Sequence, residues 1–341
     1  MTVAAWFISY DMLRFDSCVS RKFDHQVKTK MENQVLGIHH ITAIAGKAKT
    51  NYDFYTKVLG LRFIKKTVNF DDPNTYHFYY GNEEGTPGTI LTFFPWEGIQ
   101  AGRRGTRQVT EIGYSVPADS LAFWQKRLDE HHVIYNKVAE KFGEQYLTFL
   151  DPDGLKFELT VARQTDTRIP WTTAEISAEH AIRGFHHITI TSNKIEKTAA
   201  VLTEILGYHL QEKVVNRSRF VTNTVSQAAI VDLVEAPGEA AGHVAGGSVH
   251  HVAFRVKDEA TLMYYRDRIR SYGLNITEKI DRNYFYSLYF REPGGVLFEI
   301  ATDNPGFMVD ENKEELGQHL MLPSQYEEHR LAIENVLPKL D

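Results

Sequence analysis

One phrase recurs three times along this chain: Gly37-Ile-His-His-Ile-Thr-Ala, Gly184-Phe-His-His-Ile-Thr-Ile and Ser248-Val-His-His-Val-Ala-Phe. A fourth segment, Gln108-Val-Thr-Glu-Ile-Gly-Tyr, keeps the frame but carries Thr110-Glu111 where the others carry a histidine pair. The second positions of the pairs, 40, 111, 187 and 251, lie 71, 76 and 64 residues apart. A period of this length means that one supersecondary unit is repeated, and that stacked or paired copies bury a shared core. The repeat therefore constrains the fold more than any composition figure does.

Each opening phrase is rich in β-branched residues and reads as a strand. Helical periodicity follows at 49–59, 119–131, 194–206 and 258–271, with Asp119 placed as an N-cap. Gly60, Gly207 and Gly273 stand where helices end in a left-handed turn. Strand-forming runs come next, and two of their turns are near copies, Asp151-Pro-Asp-Gly and Glu292-Pro-Gly-Gly. One strand, one helix and three strands make a βαβββ module. The expected fold is α+β, four such modules forming two half-open barrels of mixed β-sheet. Module boundaries fall at 35–100, 105–165, 182–238 and 246–303, between a disordered N-terminal extension (1–34) and a C-terminal helical arm (304–341).

Composition narrows the partners. A net charge of −6 without any Lys/Arg-rich run argues against nucleic acid and anionic membrane surfaces. No apolar stretch approaches the roughly 20 residues of a membrane span. The single cysteine, Cys18, allows no internal disulfide and suits a reducing, cytoplasmic setting.

Two imidazoles and one carboxylate on one face of a metal leave open positions for O2 and an organic ligand. Three such donors must come from different strands, since one extended strand cannot wrap around an ion. The candidates at equivalent places in the repeat are His40, His187 and His251 on opening strands, with Glu158 and Glu299 on closing strands. The fourth module alone carries His251 and Glu299, 48 residues apart. The competing reading is that the pairs are structural residues copied by duplication, because recurrence alone shows ancestry. Glu111 stands where a second histidine would be needed beside His187 and Glu158, so one metal per chain is expected.

Over residues 35–305 the repeat resembles the vicinal oxygen chelate superfamily, which includes glyoxalase I, fosfomycin-resistance enzymes, bleomycin-binding proteins and extradiol dioxygenases. The segments Lys65-Lys-Thr-Val-Asn-Phe-Asp-Asp-Pro, Tyr76-His-Phe-Tyr-Tyr-Gly, Gly85-Thr-Pro-Gly-Thr-Ile-Leu-Thr-Phe-Phe-Pro and Gly102-Arg-Arg-Gly are more specific. They resemble the para-hydroquinone ring-cleaving dioxygenases of bacteria, including the methylhydroquinone-associated members. The resemblance implies Fe(II), with Mn(II) as the other candidate, held by His40, His251 and Glu299, and a small aromatic diol and O2 as substrates. The catechol-cleaving branch implies a rival set, His187, His251 and Glu299.

The same resemblance places His39, Thr42, His250, Arg282 and Tyr289 around the metal. His250 would act as general acid or base, Tyr289 as a hydrogen-bond partner of a phenolate, and Arg282 as a holder of developing negative charge. Each has a plain structural counterpart: a β-branched strand former for Thr42, a solvated loop residue for Arg282, a packed strand residue for Tyr289. The aromatic runs 76–80, 93–94 and 284–286 read mainly as sheet core, with a few walls of an aromatic pocket. The alternatives to a homo-oligomeric dioxygenase are a glyoxalase-type isomerase or thiol transferase and a metal-free module that binds an aromatic toxin.

Overall fold

The computed structural model describes residues 33–340. Cys18 and most of the expected N-terminal extension lie outside the described residues. The first module supplies β1 (Ile38–Ala45), β2 (Arg62–Asn69), β3 (Asp72–Gly81) and β4 (Ile90–Pro95). The second supplies β5 (Gln108–Val116), β6 (Ala139–Lys141), β7 (Glu144–Leu150) and β8 (Lys156–Val161). The third supplies β9 (Gly184–Ser192), β10 (His209–Val214), β11 (Arg217–Val221) and β12 (Ile230–Glu235), and the fourth β13 (Ser248–Val256), β14 (Ile280–Asp281), β15 (Phe285–Arg291) and β16 (Leu297–Pro305).

These strands form two eight-stranded mixed sheets, ordered β14-β15-β16-β13-β1-β4-β3-β2 and β10-β11-β12-β9-β5-β8-β7-β6. The outer modules share one sheet and the inner modules the other. In each, two opening strands meet antiparallel at the centre: β1 against β13, and β5 against β9. The four opening strands are almost wholly buried, and most of their apolar residues pack with the helices in one large core, while Ala253 of β13 joins a smaller cluster with Tyr79, Tyr284 and Phe307.

The helices are α1 (Ala48–Asp53), α2 (Leu121–Glu130), α3 (Glu196–Ala200) and α4 (Glu259–Ser271). α1 and α3 each run on into a π-helical turn, Phe54–Val58 and Val201–Ile205, at equivalent places in their modules. Gly60, Gly207 and Gly273 end three of the units at φ of 64°, 78° and 76°, the left-handed conformation expected of them. Asp119 is not a cap. It sits in a turn at φ 65°, and Ser120 precedes the helix. Asp258 does cap α4, accepting from the Thr261 amide at 2.8 Å.

The C-terminal segment is less helical than its composition suggests. Three short 3-10 turns, Phe307–Val309, Lys313–Glu315 and Ser324–His329, precede a single helix, α5 (Arg330–Val336). Between the first two turns and the last, the chain lies along β2, where Met321 donates its amide to the Lys66 carbonyl at 2.9 Å.

Register decides which side chains can meet, because a slip of one residue turns every side chain to the other face. In the first sheet Thr42 faces His251, His40 faces Ala253, Ala253 faces Glu299, and Glu299 faces Tyr289. All of these lie on one face. In the second sheet Gly113 faces both His187 and Glu158, and Glu111 faces Thr189. Gly113 is needed as glycine: a Cβ there would lie 2.2 Å from the His187 ring. Gly113→Ala is expected to cost about 1–3 kcal/mol by overpacking, read from chemical denaturation. An unchanged midpoint would show that the His187 ring swings away freely.

Candidate metal centre

The register brings His40, His251 and Glu299 together. His40 Nε2 and His251 Nε2 are 3.4 Å apart, and they lie 3.2 and 2.9 Å from Glu299 Oε2. All three side chains are buried, and among the described residues this is the one group of three such donors within 4.8 Å of one another. The carboxylate is anchored on its other oxygen, which accepts from Ser287 Oγ. Oε2 has no hydrogen bond, although two ring nitrogens are at contact distance. A buried carboxylate oxygen without a partner costs about 1–3 kcal/mol or more. Donors about 3 Å apart are what a shared ion at roughly 2.1 Å requires of neighbouring ligands at right angles.

The tautomers follow from the outer hydrogen bonds. His39 Nε2 is 3.0 Å from the Thr302 carbonyl, which can only accept, so that nitrogen carries the proton. His39 Nδ1 is then an acceptor for His40 Nδ1–H, 2.9 Å away. His40 Nε2 is left with its lone pair facing the trio. Thr302 thus sets the tautomer of His40 through His39, and a metal-ligating histidine needs that kind of outer partner. His250 and His251 repeat the Nδ1–Nδ1 contact at 2.8 Å, but His250 borders the cavity. His39 is buried against Phe285 and does not line the cavity, contrary to what the resemblance implies.

Burial depresses His251 and His39, the latter helped by its neighbour His40, and pushes His250 down to about 4. Burial would raise Glu299, but His40 and His251 beside it hold it well below the usual carboxylate range. The site therefore sets an ionised carboxylate beside His251, whose charged form burial disfavours, and a ligand set of deprotonated carboxylate and neutral imidazole is what binds a dication.

Over the trio lies a cavity of about 290 Å3. A benzene-sized ring fits a cavity of about 150 Å3, so there is room for one substituted ring. Tyr289, Arg282, His250 and Thr42 line it, together with Phe94 and Trp96. Arg282 Nε donates to Tyr289 Oη at 3.3 Å, and the Arg282 guanidinium lies 5.3 Å from the Tyr289 ring centre. Thr42 Oγ1 bonds Thr92 Oγ1 at 2.8 Å, so it is more than a strand former. Thr92 also contacts His77 Nε2 at 3.0 Å, and His77 Nδ1 meets Tyr79 Oη at 3.0 Å. His77 is the residue sequence reasoning passed over. The signal was the period of β3, in which Tyr76, Phe78 and Tyr80 join the core while His77 and Tyr79 turn to the cavity. A larger groove, about 690 Å3, lies between Arg62 and the C-terminal segment and holds none of this chemistry.

His187 is not part of the trio. It lies on the second sheet, paired opposite Gly113, so the rival set of His187, His251 and Glu299 does not converge. Among the described residues no helix is long and apolar enough to cross a membrane.

Paired βαβββ modules curled around a two-histidine, one-carboxylate cluster define a fold class of metal-site proteins. The chain belongs to the Glyoxalase/Bleomycin resistance protein/Dioxygenase superfamily, whose family model matches residues 37–159 and 184–300. It is 47% identical over 309 residues, 90% of this chain and 97% of the relative, to MhqO of Bacillus subtilis strain 168, which bears the name of a ring-cleaving dioxygenase. It is 35% identical over 307 residues, 87% of this chain and 94% of the relative, to the chlorohydroquinone/hydroquinone 1,2-dioxygenase of Sphingobium indicum. A crystal structure described as a dioxygenase from Bacillus subtilis strain 168 superposes with a TM-score of 0.87 at 45% identity, covering 91% of this chain and 98% of that one.

Proposed function

We propose that His40, His251 and Glu299 hold one Fe(II) and that the chain is a ring-cleaving dioxygenase for a hydroquinone-type diol. The observation that carries this is the buried Glu299 Oε2, without a hydrogen bond and within 3.2 Å of two Nε2 atoms. Bound iron would supply coordination sites for the phenolate and O2 and pass electrons between them, which lets triplet oxygen react with a closed-shell ring. Both oxygen atoms enter the product. The bond between a hydroxylated carbon and its unsubstituted neighbour breaks, leaving a carboxylic acid at the first and an aldehyde at the second.

The protein's own groups prepare that chemistry. Phe94 and Trp96 hold the ring in an apolar slot. His250, whose Nδ1 accepts from His251 Nδ1–H when the lone pair on His251 Nε2 faces the metal, carries its own proton on Nε2 and offers it as a hydrogen bond to a substrate oxygen. Burial and the nearby Glu299 push Tyr289 up, so it stays a phenol and donates to the substrate oxygen, with Arg282 orienting it. Among the described residues Arg282 is the one Arg or Lys lining the cavity, and its charge offsets the negative charge that develops on the substrate. One ligating carboxylate and a cavity of about 290 Å3 do not suit a thiol-peptide substrate, which favours the dioxygenase over the glyoxalase-type reading.

The test is anaerobic reconstitution with Fe(II) or Mn(II), followed by oxygen uptake with methylhydroquinone and with catechol. Uptake with the hydroquinone is expected. No bound metal would leave the toxin-binding reading, and uptake with catechol alone would refute the substrate class. His39→Ala keeps all three ligands but frees the His40 tautomer, so Fe(II) affinity should fall roughly 10–100-fold. Unchanged affinity in equilibrium dialysis would show that the Thr302–His39 link sets nothing.

A further inference from the structure

The second half-barrel repeats part of the geometry of the first. His187 Nε2 lies 3.0 Å from Glu158 Oε2, matching the 2.9 and 3.2 Å contacts of Glu299 Oε2. His186 Nε2 meets Glu144 Oε1 at 3.1 Å, and a carboxylate can only accept. His186 Nδ1 therefore accepts from His187 Nδ1–H at 2.9 Å, and His187 Nε2 is left with its lone pair inward. Glu111 occupies the repeat position of His40. Position for position, this is a one-histidine, two-carboxylate donor set.

A cation already sits on it. Lys141, at the end of β6, places Nζ 2.5 Å from Glu158 Oε2, 3.3 Å from His187 Nε2 and 3.9 Å from Glu111 Oε2. Its side chain is 11% exposed. Glu111 is drawn outward by Lys156 at 2.5 Å and Arg217 at 3.0 Å, so the three donors are not gathered as tightly as the first trio. The contrast lies in equivalent atoms: Glu299 Oε2 has no hydrogen bond, while Glu158 Oε2 is bonded by an ammonium.

We infer that Lys141 is a built-in cation filling a latent divalent-metal site made by His187, Glu158 and Glu111. The ammonium neutralises the buried carboxylate that an ion would otherwise neutralise, because a buried charge must be paired. It also blocks an ion from entering. The inner half-barrel is thereby fixed as scaffold, and each chain carries its reactive centre in the outer-module sheet alone. The inference rests on the positional match between the sheets and not on which metal the first site takes.

The experiment replaces the lysine and counts ions. In a His251→Ala background, Lys141→Ala is expected to bind one equivalent of Mn2+ or Co2+ that His251→Ala alone does not. Co2+ should add visible absorption bands, and adding His187→Gln should remove both the bands and the equivalent. Folding is followed by circular dichroism, with Lys141→Ser as a second, more polar replacement. A folded variant of either kind that gains no ion overturns the inference. So does failure of both to fold with Mn2+ present, since the ion should restore the missing charge. Because the outer trio is disabled throughout, these outcomes do not depend on whether the outer site takes iron.

Discussion

Glu299→Gln is expected to abolish metal binding and oxygen uptake together while leaving the apo protein at least as stable as the wild type. The glutamine keeps shape and the contact with Ser287, but it removes the ionised oxygen that lies buried without a hydrogen bond. Removing a buried uncompensated charge is neutral or favourable to the fold, whereas removing it from a metal site is not. His40→Ala and His251→Ala should also lose the ion, each by more than the roughly 10–100-fold expected when only an outer partner is lost. His187→Ala should retain it, since that ring faces Lys141 on the other sheet.

Thermal unfolding separates these cases without an activity assay. Excess Fe(II) should stabilise the wild type and His187→Ala by about 2.7 kcal/mol at a hundredfold excess over Kd, raising their midpoints, and should not move that of Glu299→Gln. A metal-dependent shift that survives Glu299→Gln and disappears in His187→Ala would place the centre on the inner sheet and refute the assignment.

The repeat made the architecture legible because a histidine pair every 70 residues or so leaves a trace that survives divergence elsewhere. The candidate ligands were legible for the same reason: strand alternation puts His40 and His251 on one face once their strands are paired. What the sequence could not show was the pairing itself. Three of the four opening strands carry nearly the same residues, so nothing local says that β1 meets β13 and β5 meets β9. That choice depends on how the modules dock, and it separates the two candidate triads. Thr110-Glu111 was readable as a lost histidine, but Lys141 was not readable as its counter-charge, because a lysine at a strand end ordinarily faces water. His39 lies off the cavity because its Nε2 is tied to the Thr302 carbonyl and its ring packs on Phe285, contacts between distant segments that the sequence does not show.

The largest stability effect is expected far from the ligands, at Lys65. This side chain on β2 is fully buried, yet it ends between Asp310 Oδ1 at 2.6 Å and Glu311 Oε2 at 2.5 Å. Both carboxylates belong to the C-terminal segment, and Glu311 also accepts from the amides of Gly317 and His319. Lys65→Met keeps the apolar stem but leaves Glu311 buried and unpaired, which should cost about 3–5 kcal/mol. Asp310→Asn and Glu311→Gln added to Lys65→Met should recover most of that loss, because the penalty comes from the stranded charge and not from the missing attraction. The same clasp backs the candidate metal site. Tyr284 donates to Asp310 at 2.9 Å and stacks on Phe307 at 5.0 Å, and its neighbour Phe285 packs 4.8 Å from the His40 ring. Lys65→Met should therefore weaken Fe(II) binding as well as the fold, and the triple variant should regain both. Urea denaturation alongside metal dialysis tests this. A loss below about 1 kcal/mol for the single variant would mean that water reaches the carboxylates and that the C-terminal segment is not clamped by charge.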